Sequence, residues 1–325
     1  MEKYLMTHDL SIIIPCFNNQ SDIDNITYRL MSIRDNSELQ FEVIIIDDGS
    51  ELPISVADEV ANKLNLKLVH KINEGVSKAR NTGLELSNAE FCVFIDSDDN
   101  VDDKFFSIVN DAIKTTDIDL AYFPYRIIKN GQPTLRGSDV VGSSIGHNLL
   151  KSIFLKKTFF HICSFVFKVE FLRRNNLKFH EEIRLSEDVL FVVSCLSKSK
   201  YIFASENAYF NYIDNSVSVI NTDQGLKELN HLIAFSEIKS LDVSNLNKSK
   251  NFFILTCCIN LLFRVLRRKS SDKMIKKTVL TELVNFSKSI GPSTINLTTF
   301  RGAVVFTYIT ALRCHLGRFI IYIGH

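Results

Sequence analysis

Three carboxylates fall within four positions at Asp96-Ser97-Asp98-Asp99, directly after the apolar run 91–95. Strand-forming residues that end in concentrated negative charge place that charge where a strand gives way to a loop, at the mouth of an α/β sheet. Like charges this close repel and raise one another's pKa unless a cation neutralises them. An Asp-x-Asp arrangement suits a hard divalent ion that also holds phosphate oxygens. The chemistry expected here is a metal-assisted nucleotide site. A second acidic pair, Glu187-Asp188, precedes the apolar run 189–193. A carboxylate pair at a helix N-terminus is electrostatically favourable on its own account.

The elements before residue 100 must position the first cluster. Apolar, β-branched runs at 10–14, 41–46, 66–70 and 91–95 read as strands, and helical spacing fills 22–33, 56–64 and 76–86. Strands this apolar are expected to be buried on both faces of a mostly parallel sheet, giving a Rossmann-like half with ligands at the strand C-termini. Each strand runs into a polar cluster. Pro15-Cys16-Phe17-Asn18 follows the first and Asp47-Asp48-Gly49-Ser50 the second. Asn73-Glu74-Gly75 follows the third and leads into Ala79-Arg80-Asn81-Thr82-Gly83, and Asp96-Ser97-Asp98-Asp99 follows the fourth. Asp-Asp-Gly-Ser alone is an ordinary turn with an N-cap; four such clusters at one sheet edge imply a site. There is no G-x-G-x-x-G and no Walker A loop, which disfavours dinucleotide and P-loop chemistry.

Further along, a helix is expected at 102–113, strands at 120–128, 164–169 and 201–204, and a hairpin turn at Asn130-Gly131. A helix is expected at 186–196. From residue 225 the chain turns helical, with a polar linker at 242–250 before helices at 252–268, 273–287 and the C-terminus. The 325 residues, 46% hydrophobic, divide into an α/β catalytic domain (1–222) and a helical C-terminal region (223–325). The net charge of +1 conceals an asymmetry, because residues 221–325 carry 15 Lys and Arg against 6 Asp and Glu. That basic region suits phosphate, an anionic membrane surface or an acidic partner protein, or is simply a solvated helical face. Nucleic acid is not expected as a partner.

Seven cysteines, an odd number without a C-x-x-C pair, read as buried reduced thiols and disfavour a zinc site. Residues 1–9 carry no signal-peptide core, so a cytoplasmic location is expected. Residues 303–323 nearly span a bilayer by length, yet Arg313, His315 and Arg318 fall inside. A central Arg costs about 2.5–3.5 kcal/mol on insertion scales. A basic amphipathic helix on the inner face of the membrane or docked on a partner is expected there, with a plain core helix as the alternative.

The ordered series Ser11-Ile12-Ile13-Ile14-Pro15, Asp47-Asp48-Gly49-Ser50, Asn73-Glu74-Gly75, Ala79-Arg80-Asn81 and Asp96-Ser97-Asp98-Asp99 resembles the family 2 glycosyltransferases of GT-A fold. The likeness is to bacterial enzymes that build capsule, O-antigen or exopolysaccharide. It resumes at Ser186-Glu187-Asp188, and more loosely at Tyr209-Phe210-Asn211-Tyr212 with Ser216, covering about two thirds of the 325 residues. The resemblance implies a nucleotide-sugar donor, in particular a UDP-sugar. It puts Asp47 and Asp48 at the ribose and base, with Asp48 favoured at the base. Arg80 would lie near the base and phosphates, and Pro15 and Phe17 in the base pocket. It also implies Mn²⁺ or Mg²⁺ on Asp98, with Asp96 toward the ribose or as a second ligand and Asp99 supporting either.

On the same resemblance Asp188 is the catalytic base, with Glu187 as alternate base or support. The reaction implied is a single displacement with inversion onto a hydroxyl of a saccharide or lipid-linked saccharide. His161 and His180 flank the acceptor side, although single histidines are more often structural. An aromatic residue common in the family near 161–165 is replaced by His161-Ile162-Cys163-Ser164-Phe165, and the chain has no Trp. A metal-dependent nucleotidyltransferase would need a Gly-rich basic loop where Pro15-Cys16-Phe17-Asn18-Asn19 stands. A catalytically inactive scaffold is the other alternative, opposed by the presence of both Asp98 and Asp188.

Overall fold

A computed structural model describes residues 8–34, 38–115, 117–213, 225–267, 273–291 and 300–313. The first half alternates β1 (His8–Cys16), α1 (Gln20–Arg34), β2 (Phe41–Asp47), α2 (Asp58–Leu64), β3 (Leu66–His70), α3 (Val76–Leu86) and β4 (Ala89–Phe94). These four strands lie parallel in the order β3-β2-β1-β4, with Ile12 opposite Val43 on one side and Val93 on the other. Burial explains the composition, for every residue of β2 and residues 10–16 of β1 are buried. The exception is polar and fully satisfied. Glu42, buried in β2, accepts hydrogen bonds from Ser11 Oγ (2.6 Å), the Asn88 amide (2.7 Å) and Lys67 Nζ (2.7 Å). Burial would raise its pKa, but Lys67, Ser11 and Asn88 overcome that and hold it below the usual range.

The chain continues through β5 (Asn100–Val101), α4 (Phe105–Thr115), β6 (Leu120–Tyr122), β7 (Tyr125–Lys129), β8 (Gln132–Arg136), β9 (Gly142–Ser144) and α5 (Gly146–Phe154). Then come β10 (Phe165–Lys168), α6 (Val169–Arg174), α7 (Glu187–Lys198), β11 (Ile202–Ala204) and β12 (Phe210–Ile213). Strand β10 enters antiparallel to β4, and β6, β11 and β9 extend the sheet to eight strands. A second sheet, β5-β12-β7-β8, sits beside it. The single strand expected at 120–128 is therefore two strands in different sheets. The break falls at Phe123 and Pro124, and proline has no N–H to continue a ladder. The hairpin at Asn130-Gly131 forms as expected, with both residues left-handed (φ 50° and 73°) between β7 and β8.

The helical region begins with a 3-10 turn at Gly225–Glu228. It continues through α8 (Leu229–Ser240), α9 (Asn247–Arg267), α10 (Lys273–Lys288) and α11 (Phe300–Arg313). The polar linker expected at 242–250 is short, because a 3-10 turn and the first residues of α9 occupy most of that stretch. Lys250 explains this. Its buried Nζ donates to the carbonyls of Lys239 (2.8 Å) and Leu241 (2.6 Å), which satisfies the C-terminal end of α8. One hydrophobic core runs from Leu10 of β1 to Ile309 of α11, and Phe154 of α5 meets Phe253 of α9 with ring centroids 5.4 Å apart. The boundary expected at 222 lies outside the described residues, as do Ser216 and residues 314–323. Helix α9 has the length and apolar composition to cross a membrane, yet 56% of its apolar window is buried against the rest of the protein.

One contact ties the sheet to the helix that carries Arg80. A Cβ on Gly83 of α3 would stand 2.3 Å from Ile13 Cγ2 of β1. Alanine is the better helix former by about 1 kcal/mol, but here overpacking against a buried strand dominates. Gly83→Ala is expected to destabilise the protein by about 1–3 kcal/mol, read as a lower denaturant midpoint at unchanged slope.

Candidate active site

The loops after the parallel strands are stitched to one another by side chains. Asp47 ends β2 and is buried; its Oδ1 accepts from the Ser50 amide (3.0 Å) and hydroxyl (2.5 Å), and its Oδ2 from the Ile54 amide (3.1 Å). His70 Nδ1 lies 2.8 Å from the same Oδ2. Burial pushes the Asp47 pKa up, but Ser50, His70 and the amides more than offset it, and it is lowered. Asp48 accepts from Lys71 Nζ (2.9 Å) and from the amides of Glu74 (3.0 Å) and Gly75 (2.6 Å). Gly75 is left-handed (φ 99°), and a Cβ there would overlap the Arg184 guanidinium, so only glycine lets that side chain cross. Asn18 joins the first loop to the second, its amide donating to Ser50 Oγ (2.8 Å) and its Oδ1 accepting from the Glu51 amide (2.9 Å). Asp47 and Asp48 thus brace the loop edge. Pro15 is buried in β1, while Phe17 is exposed at the edge.

Arg80 stands at the centre. It is buried on α3, with Nη2 donating to Asp96 Oδ1 (2.7 Å), Nη1 donating to Glu187 Oε1 (3.3 Å) and the guanidinium 5.2 Å from the Phe179 ring centre. Its Nε is buried without a hydrogen-bond partner. Burial works against the charge on Arg80, but Asp96 and then Glu187 hold it firmly protonated. The Asp96 pKa is lowered, burial being outweighed by Arg80 and His161. The closer Asp96 takes the stronger share of the pairing. At Glu187 burial and the neighbouring Asp188 charge prevail over Arg80, and its pKa rises to about 7.

Asp98 and Asp99 diverge in environment. Asp98 is exposed, and desolvation within the cleft, then the Asp96 charge, raise its pKa. Asp99 is buried beneath it and raised well above the carboxylate range by burial, Asp96 and Asp98, with Cys163 Sγ 3.7 Å from its Oδ2. The ligating atoms of Asp96, Asp99, His161 and Cys163 all lie within 4.8 Å of one another, a grouping able to surround a cation. Burial drives the Cys163 thiol well above its ordinary pKa. His161 Nε2 is 4.0 Å from Asp96 Oδ2, and its ring stacks on Phe210 at 5.4 Å and leans on Tyr212 at 5.5 Å. The place of Cys163 beside the acidic loop was not foreseen, and its burial within an apolar run gave no signal of it. His180 is exposed and lines a separate groove with Leu190 and Phe191.

Glu187 and Asp188 open α7, preceded by Ser186 in the left-handed conformation (φ 65°). Ser186 Oγ is 2.7 Å from His231 Nδ1 on α8, and His231 Nε2 lies 3.4 Å from Glu228 and 3.2 Å from Arg264 Nη1 on α9. This brace from the helical region was also unseen in sequence, since His231 lies far outside the recognisable motifs. Asp188 is half-buried, and its Oδ1 accepts from the Val189 amide (2.8 Å). It lines a cavity of about 660 Å³ shared with α9 and α11.

The parallel sheet, its antiparallel extension and an acidic edge knit together by a buried arginine define a GT-A-type α/β protein. The chain belongs to glycosyl transferase family 2, whose sequence model matches residues 11–175. It is 23% identical over 217 residues to EpsJ of Bacillus subtilis, an uncharacterised glycosyltransferase, covering 65% of this chain and 62% of EpsJ. It is 26% identical over 212 residues to TarP of Staphylococcus aureus, a poly(ribitol-phosphate) β-N-acetylglucosaminyltransferase, covering 63% of each. The match therefore spans less than two thirds of either relative. Residues 1–349 of S. aureus TarS, solved in complex with UDP-GlcNAc, share the fold at a TM-score of 0.69 and 18% identity, covering 95% of this chain and 92% of that one.

The Glu187 pKa carries a stability consequence. Between the ordinary value of 4.5 and about 7 the folded protein keeps a proton that the unfolded chain releases, so stability falls as pH rises across that window. Glu187→Gln removes this component. The melting temperature of the variant is expected to gain on the parent steadily from about pH 4.5 to about pH 7; parallel melting curves across that range would contradict the assignment.

Proposed function

We propose that this protein is a metal-dependent inverting glycosyltransferase that moves a sugar from a UDP-sugar to an acceptor hydroxyl in bacterial surface-polysaccharide assembly. The observation that carries this reading is the Arg80 bridge, which joins Asp96 of the acidic loop to Glu187 at the start of α7. Two carboxylate motifs at least 88 residues apart in sequence are thereby joined through one side chain. TarP and TarS transfer N-acetylglucosamine, and TarS has been solved with UDP-GlcNAc, which supports a nucleotide-sugar donor.

Phe17 offers an exposed aromatic face for the base, beside Pro15. Asp48 holds the loop edge and keeps a lone pair on Oδ2 for the base or ribose. The four acceptor positions of buried Asp47 are taken by Ser50, Ile54 and His70, which leaves it a bracing role. Arg80, paired with Asp96 and Glu187, holds in place the acidic loop that would carry the metal and the diphosphate. Asp98 with Asp96 would hold Mn²⁺ or Mg²⁺. The donor set fits, because exposed Asp98 and ionised Asp96 supply hard oxygens and their mutual repulsion is what a cation relieves. Asp99, His161 and Cys163 stand close behind them, with ligating atoms within 4.8 Å of one another and of an Asp96 oxygen. When bound, the ion would offset charge on the departing diphosphate.

Asp188 is the base. It faces the cavity, whereas Glu187 is turned to Arg80 and supports it. The acceptor hydroxyl loses its proton to Asp188 as its oxygen bonds to the anomeric carbon, and the bond from that carbon to the phosphate oxygen breaks on the opposite face. The basic helical region, with 15 Lys and Arg against 6 Asp and Glu over residues 221–325, is proposed to meet an anionic membrane surface at the cytoplasmic side.

A panel of nucleotide sugars with Mn²⁺, scored by nucleotide release with and without acceptor, tests the activity. Asp188→Asn is expected to lower turnover by about 10²–10⁴-fold or more with UDP affinity retained; near-normal turnover would remove Asp188 from the base role. Asp98→Ala is expected to abolish the Mn²⁺-dependent part of UDP binding in calorimetric titration, and an unchanged titration would refute its metal role.

A further inference from the structure

The cavity beside Asp188 is predominantly apolar. Its walls are Tyr125, Phe160, Phe253, Phe263, Val305 and Tyr308, and its about 660 Å³ lies within the range of small-molecule pockets, about 300–1,000 Å³. Lys156 and Asp188 are the only charged groups among the described lining residues. Lys156 Nζ sits 4.1 Å over the Phe253 ring. Thr158, Thr256, Asn260 and two tyrosine hydroxyls add polar groups at points of the wall, but most of its exposed surface is apolar, which favours a ligand part without hydroxyls. The cavity is continuous with the proposed base, so its occupant belongs to the molecule whose hydroxyl Asp188 deprotonates. Helices α9 and α11 form one wall, which gives the helical region a role at the site.

We propose that this cavity holds the apolar chain of a lipid-linked acceptor, placing the sugar that follows the chain against Asp188. This rests on the glycosyltransferase reading above and narrows its acceptor class. Burying a chain in a dry apolar site strengthens binding by about fourfold per methylene, equivalent to about 0.8 kcal/mol.

The test uses the full chain with UDP and Mn²⁺ and compares n-decyl, n-butyl and methyl β-glucosides, below their micelle concentrations, by calorimetry. Decyl glucoside is expected to bind at least about tenfold more tightly than butyl, and methyl glucoside not measurably. Cys257→Trp on the half-buried face of α9, and Asn260→Trp at an exposed position of the same lining, fill the cavity. Each is expected to weaken decyl binding at least about tenfold, while UDP titration of the same variant reports that its fold survives. Equal binding of decyl and methyl glucosides, or a chain-length dependence that a UDP-binding tryptophan variant leaves intact, overturns the proposal. Failure of UDP to bind the parent protein would sink the glycosyltransferase reading instead, and is separately visible in the same titrations.

Discussion

The burial of one guanidinium sets the terms for the whole acidic edge. Arg80 lies 4% exposed beneath the sheet edge, and a charge there must be paired. Asp96 and Glu187 pair it, one from the end of β4 and one from the start of α7, while Arg80 itself rides on α3. Removing a partner from a buried ion pair typically costs about 3–5 kcal/mol, because it strands the remaining charge. Three separate elements are thereby fixed in mutual register by electrostatics. The close approach of α3 to β1 at Gly83 serves the same end, since a helix held off the sheet would carry Arg80 away from Asp96.

The same constraint explains why the first hundred residues could be read from sequence and the next hundred less well. Strands β1, β2 and β4 are buried on both faces, so their apolar runs are continuous and end sharply in polar loops. The acidic loop and the parallel order follow from that punctuation. In the second half the strands are two to five residues long and belong to two sheets, so a continuous run such as 120–128 conceals a change of sheet at Pro124. The second sheet depends on long-range pairs such as Phe210 with Val101, which no local pattern marks. At the site, the Asp-x-Asp loop and Arg80 were legible because residue type and position coincide. Asp99 meeting Cys163 was not, since a buried thiol looks the same in sequence wherever it packs.

The C-terminal helices expected from the sequence are present, but composition does not mark how they pack. The polar beginning of this region hides Lys250, a buried cation that terminates α8, and its apolar helices continue the core of the α/β half. The contact between Ser186 and His231 carries this cohesion to the acidic motif itself. A serine held left-handed just ahead of Glu187 and Asp188 is a strained choice for a residue with a side chain, costing about 1–3 kcal/mol, and persists only where its surroundings over-determine it. His231, Glu228 and Arg264 supply those surroundings from the helical region.

That brace bears on how two adjacent carboxylates can differ. Glu187 and Asp188 are neighbours on one helical turn, yet successive helical positions point about 100° apart. Ser186 fixes which direction each takes. Glu187 is directed to Arg80, into low dielectric, and its proton affinity rises to about 7. Asp188 is directed to the apolar cavity, where an acceptor would meet it. A raised pKa alone would nominate Glu187 as the base, since general bases work best near the operating pH. In the mechanism proposed above, geometry outweighs it. A base must reach the proton it removes, and a carboxylate engaged with a buried arginine is turned away from the cavity in which the proposed acceptor would sit.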